Sequence, residues 1–249
     1  MYEKARSGKD GKVRFFLSQC GTQKEISVGS GLAQGHVSKY LGTLRDAGFV
    51  ERRVPVMVGE SSRHGRYHVI DPYLRFYCRF LADRQAQLAM GEADIALAEI
   101  KKHLLDFIAA HTWEELCRVW TLRAGARGLL DVAVDQVGSI WTKQAQVDVV
   151  ALNSMEKTII LGECKWHTRS VERSVLRQLL DKTAEIVPKQ GQWRVVYLGF
   201  AREGWTAAAQ ALANDPGQWQ TPPQANWRPV GMKLLTLAQV DQDLAAWTR

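Results

Sequence analysis

Apolar positions in the first quarter of the chain follow helical spacing. Between Val37 and Leu44 they recur at intervals of three and four residues, as on one buried face of a helix. Gly48 stands where a left-handed C-terminal cap is expected. The spacing therefore predicts an amphipathic helix from Ala33 to Ala47.

Shorter patterns flank this helix on both sides. Residues 13–20 predict one earlier helix, and residues 22–26 predict a second that begins with a threonine N-cap. After the helix, residues 49–56 and 66–70 read as two strands separated by a turn, which indicates a β-hairpin. Three helices followed by a basic hairpin form a winged helix-turn-helix, which we assign to residues 1–71.

The rest of the chain changes its pattern twice. Residues 72–104 are rich in aromatic side chains and then in alanine, and predict a helical linker rather than a flexible one. Residues 105–249 predict a second domain in which helices and strands mix, so the fold class is α/β (α+β). The predicted helices of this domain are 107–122, 173–186, 206–213 and one at the C-terminus, and its extended segments are 132–137, 139–142, 145–152, 158–166, 193–198 and 232–236.

The excess positive charge is confined to the first third of the chain. Residues 1–85 hold 15 Lys and Arg against 8 Asp and Glu, whereas residues 86–249 hold 18 of each, so the net charge of +7 belongs to the first segment. A one-sided positive field steers a domain towards phosphates, although a basic surface can also serve solubility alone. The distribution favours nucleic acid as a partner of the N-terminal domain.

Composition argues against a membrane-spanning or secreted protein. Hydrophobic residues make up 46% of the chain, and no window approaches the roughly 18 consecutive apolar residues that a transmembrane helix needs. The basic N-terminus is not followed by the apolar segment of a secretory signal. The four cysteines are far apart and are expected to be reduced, mostly buried thiols. These features predict a soluble, cytoplasmic protein and leave its oligomeric state open.

The predicted third helix and the wing supply candidate contacts to nucleic acid. In winged helices the third helix enters the major groove, and the wing follows the phosphate backbone. Such phosphate contacts are sensitive to salt and largely independent of base sequence. The candidate residues are Gln34, His36, Ser38 and Lys39 on the helix and Arg52, Arg53, Arg63, His64 and Arg66 on the wing. The alternative is a winged helix that docks another protein.

A hairpin in the second domain brings together residues that suit metal chemistry. If its loop centres between Met155 and Glu156, Asp148 lies opposite Glu163, because the two are equidistant from that centre. Lys165, two residues beyond Glu163, projects to the same face of the strand. Two carboxylates can hold a hard divalent ion, and the ion with a nearby lysine can activate water against a phosphodiester. The alternative is an ordinary salt bridge at the end of a strand.

These residues resemble a known signature. Asp148, followed by Gly162-Glu163-Cys164-Lys165-Trp166, is similar to the D…ExK motif of the restriction-endonuclease-like, PD-(D/E)xK, superfamily. More narrowly, segments 37–56, 67–76 and 162–166 resemble the C-terminal half of a family of archaeal and bacterial P-loop ATPases. In that family a winged helix and an uncharacterised nuclease-like domain follow the ATPase. The resemblance implies a restriction-endonuclease-like fold, with helices flanking a central mixed sheet, for residues 105–249.

Carried over by motif, the resemblance implies a site for Mg²⁺ or Mn²⁺. The implied roles are metal ligand for Asp148 and Glu163, catalytic lysine for Lys165, and helix carboxylate for Glu114 within the aromatic-Glu segment 113–117. Glu115 is the neighbouring alternative, and both glutamates can instead be solvated helix residues. Gln178, on the helix predicted at 173–186, is a further candidate.

The family's phosphate-binding motif, G-x-x-x-x-G-K-[ST], is absent from the sequence, so no ATP hydrolysis is assigned. Any P-loop ATPase would be a separate partner of this chain. The leading hypothesis is a DNA-binding protein with a metal-dependent nuclease domain that hydrolyses phosphodiesters. The alternative is a non-catalytic DNA-binding regulator, or an adaptor for a separate ATPase, with the chain either a stand-alone protein or a fragment.

Overall fold

The structure, a computed structural model, describes residues 21–59, 61–142 and 145–248. The chain divides into two compact units, the first extending to Phe107 and the second beginning at Ile108. Each unit has its own hydrophobic core.

The first unit opens with two helices and a hairpin. Their bounds are Gln23–Ser30 for α1, Gln34–Asp46 for α2, Val50–Arg53 for β1 and Arg66–Val69 for β2. Thr22 and Glu25 form a capping box at the start of α1, which satisfies backbone groups that the helix leaves without partners. Gly48, after α2, has the positive φ expected of a left-handed cap, 76°. The predicted α2 and the hairpin are therefore present, and the helix expected at residues 13–20 lies outside the described residues.

A small apolar core joins the helices to the hairpin. Its fully buried members are Ile26, Val37, Leu41, Val50 and Val69. β1 and β2 pair antiparallel, with Val50 opposite Val69 and Arg53 opposite Arg66. β1 is shorter than the strand predicted for 49–56, since Pro55 has no N–H to donate to a ladder.

Short helices complete the first unit. Their bounds are Pro72–Phe76 for α3, Gln85–Ala89 for α4 and Ala93–Phe107 for α5, with a π-helical turn at Tyr77–Leu81 and a 3₁₀ turn at Ala82–Arg84. The rings of Phe76, Phe80 and Phe107 contact one another with centroids 5.0 to 6.0 Å apart. The whole of segment 72–104, which the sequence pattern predicted to be a linker, lies inside the first unit.

The second unit is a five-stranded sheet with helices. Its elements in chain order are α6 (Trp113–Ala126), β3 (Gln136–Trp141), β4 (Gln146–Asn153), β5 (Thr158–Lys165), α7 (Arg173–Ile186), β6 (Trp193–Ala201), α8 (Ala207–Asn214), β7 (Trp227–Thr236) and α9 (Leu237–Ala246). A π-helical segment, Ile108–Thr112, precedes α6, and a 3₁₀ turn, Pro216–Gln218, follows α8. The strand order is β3-β4-β5-β6-β7, antiparallel as far as β5 and parallel beyond it. The predicted α/β class with a mixed sheet is confirmed.

Helices cover both faces of this sheet. On one face, α6 and α9 pack on the strands, and the indole N–H of Trp120 donates to Asp243 Oδ2 at 2.8 Å. On the other face, α7 lies against β5 and β6, where the hydroxyls of Thr183 and Tyr197 are 2.9 Å apart. Because successive strand residues alternate between these faces, a residue's position along β4 or β5 decides which helix it meets.

Composition predicted that the chain has no membrane-spanning helix and that its cysteines are mostly buried. Over residues 21–59, 61–142 and 145–248, every helix is too short or too polar to cross a membrane. The described cysteines Cys78, Cys117 and Cys164 are buried, as expected, and Cys117 and Cys164 are free thiols.

Candidate active site and nucleic-acid interface

Strand pairing places the two predicted metal ligands opposite each other. β4 and β5 are antiparallel, and Val149 pairs with Gly162 near the end of the ladder. The ladder ends at this pair, and its register, continued one residue outward, sets Asp148 opposite Glu163, as the symmetry of the loop predicts. Each of these two residues is only 8% exposed, so both carboxylates are largely removed from water.

Hydrogen bonds orient the two carboxylates. Asp148 Oδ2 accepts from the backbone N–H of Cys164 at 2.9 Å, and Glu163 Oε1 accepts from Lys165 Nζ at 2.6 Å. The Cys164 side chain lies on the opposite face, in the core with α6. Asp148, Glu163 and Lys165 therefore form a cluster, here called the carboxylate cluster, on one face of the sheet at the end of β5.

A second ammonium group, which the sequence did not predict, joins this cluster. Lys182 on α7 donates to the carbonyl oxygen of Gln146 at 3.0 Å and to Glu163 Oε2 at 3.4 Å. Glu163 thus has an ammonium at each oxygen, since Lys165 occupies the other. A helix that connects two parallel strands must cover one face of their sheet, which was the available signal. The sequence does not reveal which turn of that helix reaches Glu163.

The predicted helix carboxylate lies beside the cluster. Glu114 is in the first turn of α6, and burial, followed by the negative charge of Asp148, raises the pKa of Glu114. Arg118, one turn later, opposes this shift with Nη1 3.4 Å from Glu114 Oε2. The other two candidates, Glu115 and Gln178, are half-buried and exposed, respectively.

The environment of the cluster disfavours negative charge on Asp148 and favours positive charge on Lys165. Burial, followed by the charge of Glu163, raises the pKa of Asp148 above its ordinary value. Burial alone would lower the pKa of Lys165, but the hydrogen bond and charge of Glu163, with the charge of Asp148, raise it overall. Lys165 is therefore an ammonium at neutral pH, and a cation near Asp148 would relieve the cost of its charge.

The carboxylate oxygens of the cluster are the type of ligand that a hard divalent cation prefers, although only two carboxylates are present in it. Asp148 and Glu163 offer carboxylate oxygens, which Mg²⁺ and Mn²⁺ prefer, and two neighbouring buried carboxylates gain from a shared cation. Within the described residues, three or more His, Cys, Asp or Glu side chains do not converge on one metal position. A metal ion would thus rest on the two strand carboxylates, with its other positions taken by water or phosphate.

The candidate helix residues of the first unit are accessible. Gln34, His36, Ser38 and Lys39 are all exposed in the first half of α2. The buried side of the same helix is formed by Val37 and Leu41. The helix therefore presents polar side chains to solvent while its apolar face packs on the core, as groove insertion requires.

The candidate wing residues divide into two groups. Arg63, His64 and Arg66 are exposed, on or before β2. Arg52 is half-buried, and its Nη2 donates to the carbonyl of Ser62 across the hairpin. Arg53 is also half-buried and pairs with Glu51.

Arg52 also lies against the backbone of the returning strand. A Cβ atom at Gly65 would overlap the guanidinium of Arg52, so the side chain rests in space that only glycine leaves open. Arg52 therefore contacts the backbone across the hairpin, and its predicted contact with phosphate stays a prediction. The alternation of side chains along a strand does not predict such a contact, because the contact depends on the path of the hairpin loop.

A family model matches the centre of the chain. The family, DUF234, is described as archaeal and bacterial proteins of unknown function, and the match covers residues 77–177. These residues include the carboxylate cluster and end within α7, before Lys182. The similarity agrees with the archaeal and bacterial resemblance seen in the sequence but brings no activity with it.

Two individual proteins are also similar. An uncharacterized protein of Methanocaldococcus jannaschii, MJECL04, is 26% identical over 145 residues, which are 58% of this chain and 32% of that protein. The chain thus spans about a third of the length of this relative. A MarR family transcription regulator of known structure is 22% identical and has a TM-score of 0.24, with 40% of this chain and 68% of that chain covered.

Proposed function

We propose that the chain binds DNA through its first unit and hydrolyses phosphodiesters at the carboxylate cluster with Mg²⁺ or Mn²⁺. The observation that carries the proposal is the register of β4 and β5. Continued one residue beyond Val149 and Gly162, this register sets Asp148 opposite Glu163, and Lys165 Nζ lies 2.6 Å from Glu163 Oε1. A pair of buried carboxylates beside an ammonium is an arrangement suited to a polyanionic substrate and a divalent ion.

The metal ligands would be Asp148 and Glu163. When bound, the ion would supply Lewis-acid stabilisation of charge on a phosphate. The backbone N–H of Cys164 donates to one carboxylate oxygen of Asp148, which would hold this side chain for the role. The raised pKa of Asp148 makes its charge costly in the absence of a cation, which favours binding.

Lys165 would act as a cation rather than as a base. Its pKa is raised overall by Glu163 and Asp148, so it keeps its proton at neutral pH. An ammonium fixed beside the reacting phosphate stabilises negative charge that develops in the transition state. Lys165 can therefore orient and neutralise the phosphodiester while the carboxylates hold the metal.

DNA recognition would rest on the first unit. Its helix α2 exposes Gln34, His36, Ser38 and Lys39, and its wing exposes Arg63, His64 and Arg66. The net charge of the second segment of the chain is zero, so the electrostatic part of DNA affinity comes from the first. The order helix, three antiparallel strands, helix and parallel strand, seen from α6 to β6, supports the resemblance to restriction endonucleases.

A second candidate function is that of a non-catalytic regulator or adaptor. It is favoured by one observation: both oxygens of Glu163 already contact ammonium groups, from Lys165 and Lys182. Such a cluster is a complete ion-pair network without metal. In this case the winged helix would bind DNA or a separate P-loop ATPase, and the second unit would be structural.

Cleavage assays separate the two functions. The full chain is incubated with single-stranded, duplex and branched DNA in Mg²⁺ or Mn²⁺, with chelator as a blank. Lys165→Ala and Asp148→Ala should each lower the rate by at least about 100-fold, because the first removes a cation beside the phosphate and the second removes a proposed metal ligand. Glu156→Ala, which changes an exposed acid in the loop of the same hairpin, should leave the rate unchanged.

The adaptor would be favoured by a wild-type chain that cuts none of these substrates and binds neither ion. Calorimetric titration with Mn²⁺ provides the binding result independently of cleavage. Cleavage that survives in Lys165→Ala and Asp148→Ala would place the activity elsewhere or in a contaminant, and would count against this site.

A further inference from the structure

The strand that carries Asp148 is irregular at that residue. In the pairing of β3 with β4, Gly138 faces Val150 and Ile140 faces Val147, so Ser139 stands opposite two residues of β4. One residue on β3 against two on β4 is a β-bulge, with Asp148 inside it. The pairing of β4 with β5 is regular from Asn153 to Val149, where the ladder ends.

At the bulge, two side chains bind the carbonyl oxygen of Asp148. The hydroxyl of Ser139 donates to this oxygen at 2.8 Å, and Arg118 Nη1 donates to it at 3.1 Å. Arg118 Nη1 also contacts Ser139 Oγ at 2.9 Å, so the three groups form a closed hydrogen-bonded triangle. A buried carbonyl without such donors would cost about 1–3 kcal/mol.

The same arginine connects helix α6 to the carboxylate cluster. Its side chain is only 15% exposed, and Nη1 lies 3.4 Å from Glu114 Oε2. Arg118 therefore binds the backbone of one candidate carboxylate residue and the side chain of another. A guanidinium suits this position because it stays charged when buried and offers several donors in a fixed plane.

We propose that Arg118 and Ser139 are positioning residues that hold the bulge at Asp148 and thereby aim its carboxylate at the Cys164 N–H and at Glu163. Bulges bend a strand and re-aim a side chain, and residues that support metal ligands tune metal affinity. The part of this role that concerns metal rests on the proposed function, because aiming Asp148 affects an ion only if Asp148 binds one. The aiming itself is a property of the backbone.

The test uses two measurements on the full chain. Amide exchange of the Cys164 N–H, taken relative to that of Leu161 in the middle of β5, reports whether Asp148 Oδ2 still accepts the hydrogen bond. Exchange of Leu161 shows whether a substitution has changed the stability of the sheet as a whole. Mn²⁺ titration reports the effect on the metal site.

Four variants distinguish loss of the hydrogen bonds to the Asp148 carbonyl from loss of a positive charge and from loss of folding. Arg118→Met and Ser139→Ala remove one donor each, Ser139→Thr restores the hydroxyl, and Arg123→Met removes an arginine of the same helix that contacts Thr248 instead. Arg118→Met should raise the relative exchange of Cys164 and weaken Mn²⁺ binding by about tenfold, as supporting residues of metal sites do. Ser139→Ala should change both in the same direction but less, and Ser139→Thr and Arg123→Met should resemble the wild type.

Three results have different consequences. If Arg118→Met and Ser139→Ala both leave the relative exchange of Cys164 unchanged, the positioning role is wrong, whatever the protein does with metal. If exchange rises in both but the wild type binds no Mn²⁺, positioning stands and the metal site of the proposed function is wrong. If Mn²⁺ binds equally to the wild type and to both variants while exchange rises, the aiming of Asp148 stands, and the part of the inference that concerns metal is wrong.

Discussion

Candidate residues are held differently in the two units. In the first unit, Lys39 and Arg63 are exposed, and their contribution depends on charge at the surface. In the second unit, Asp148 and Glu163 are buried and depend on hydrogen bonds and ion pairs from neighbouring elements. Surface cations act nearly independently and are screened by salt, whereas buried groups are coupled to the fold and to one another.

This contrast teaches that the two proposed activities are separable. Surface substitutions in the first unit should change DNA binding, because exposed cations act through their charge at the surface. Substitutions in the carboxylate cluster should change metal binding and the pH dependence of stability together, since the same charges determine both.

The largest expected effect in the first unit is on DNA affinity. Arg63→Ala combined with Arg66→Ala should weaken binding at least about tenfold and lower the slope of log affinity against log salt by about 2, one for each lost phosphate contact. Lys189→Ala, an exposed lysine of the second unit, is the matched control. Fluorescence anisotropy over a salt series measures both quantities, and an isotherm indifferent to salt would remove the phosphate contacts from the proposal.

A smaller effect is expected on the stability of the wing. Gly65→Ala forces the guanidinium of Arg52 away from the strand and should lower the free energy of unfolding by about 1–3 kcal/mol, as overpacking does. Gly59→Ala, on the same wing, is the control, because the nearest atom to its Cβ would be 4.0 Å away. Chemical denaturation compares the two variants. Equal stabilities would show that Arg52 moves aside freely and is available for phosphate after all.

Substitution of the buried Asp148 should raise the stability of the protein, whereas Gly65→Ala should lower it. The folded-state pKa of Asp148 is raised, so folding is favoured by its protonated form, and stability falls as pH rises from the ordinary pKa through the raised one. Asp148→Asn should therefore be more stable than the wild type at neutral pH, with the difference disappearing below the ordinary pKa of aspartate. Denaturation at several pH values measures this.

The same shift has a consequence for metal. Because the ion needs the ionised carboxylate, Mn²⁺ binding should be lost on acidification at a higher pH than an ordinary aspartate would allow. A neutral-pH stability of Asp148→Asn below that of the wild type would show that the ammonium groups of the cluster already compensate the charge of Asp148.

The smallest effect concerns the second ammonium of the cluster. Lys182→Met removes a cation from Glu163 Oε2 and should tighten Mn²⁺ binding severalfold, because the ion no longer competes with an ammonium for that oxygen. Lys189→Met, three residues after the end of α7 and exposed, should leave the affinity unchanged. Calorimetry compares the three proteins. Weaker binding in Lys182→Met would mean that Lys182 orients Glu163 rather than competing for it.

Local sequence patterns predicted several helices and strands of the second unit. The helix predicted at 173–186 has those bounds in the structure, and the strands predicted at 145–152 and 158–166 are β4 and β5 to within one or two residues. Helical and strand periods are short-range properties of the chain, so they can be read without knowing the packing. β7 begins five residues earlier than predicted, since Pro229 and Gly231 interrupt its strand pattern, and the pairing with β6 overrides their local preference.

The sequence by itself determined the meeting of Asp148 with Glu163. A strand has a period of two and a symmetric loop sets its register, so three positions along the chain were enough to place both carboxylates and Lys165 on one face. The fold class followed in the same way from the succession of periods.

Only the tertiary structure decided what surrounds that pair. Arg118 and Lys182 come from helices on opposite faces of the sheet, and the bulge opposite Ser139 brings the Asp148 carbonyl within reach of Arg118. Where a helix rests along a sheet depends on how side chains from distant segments interlock, and no local period encodes that position. The sequence therefore predicted Asp148 and Glu163 but did not predict that Arg118 and Lys182 contact them.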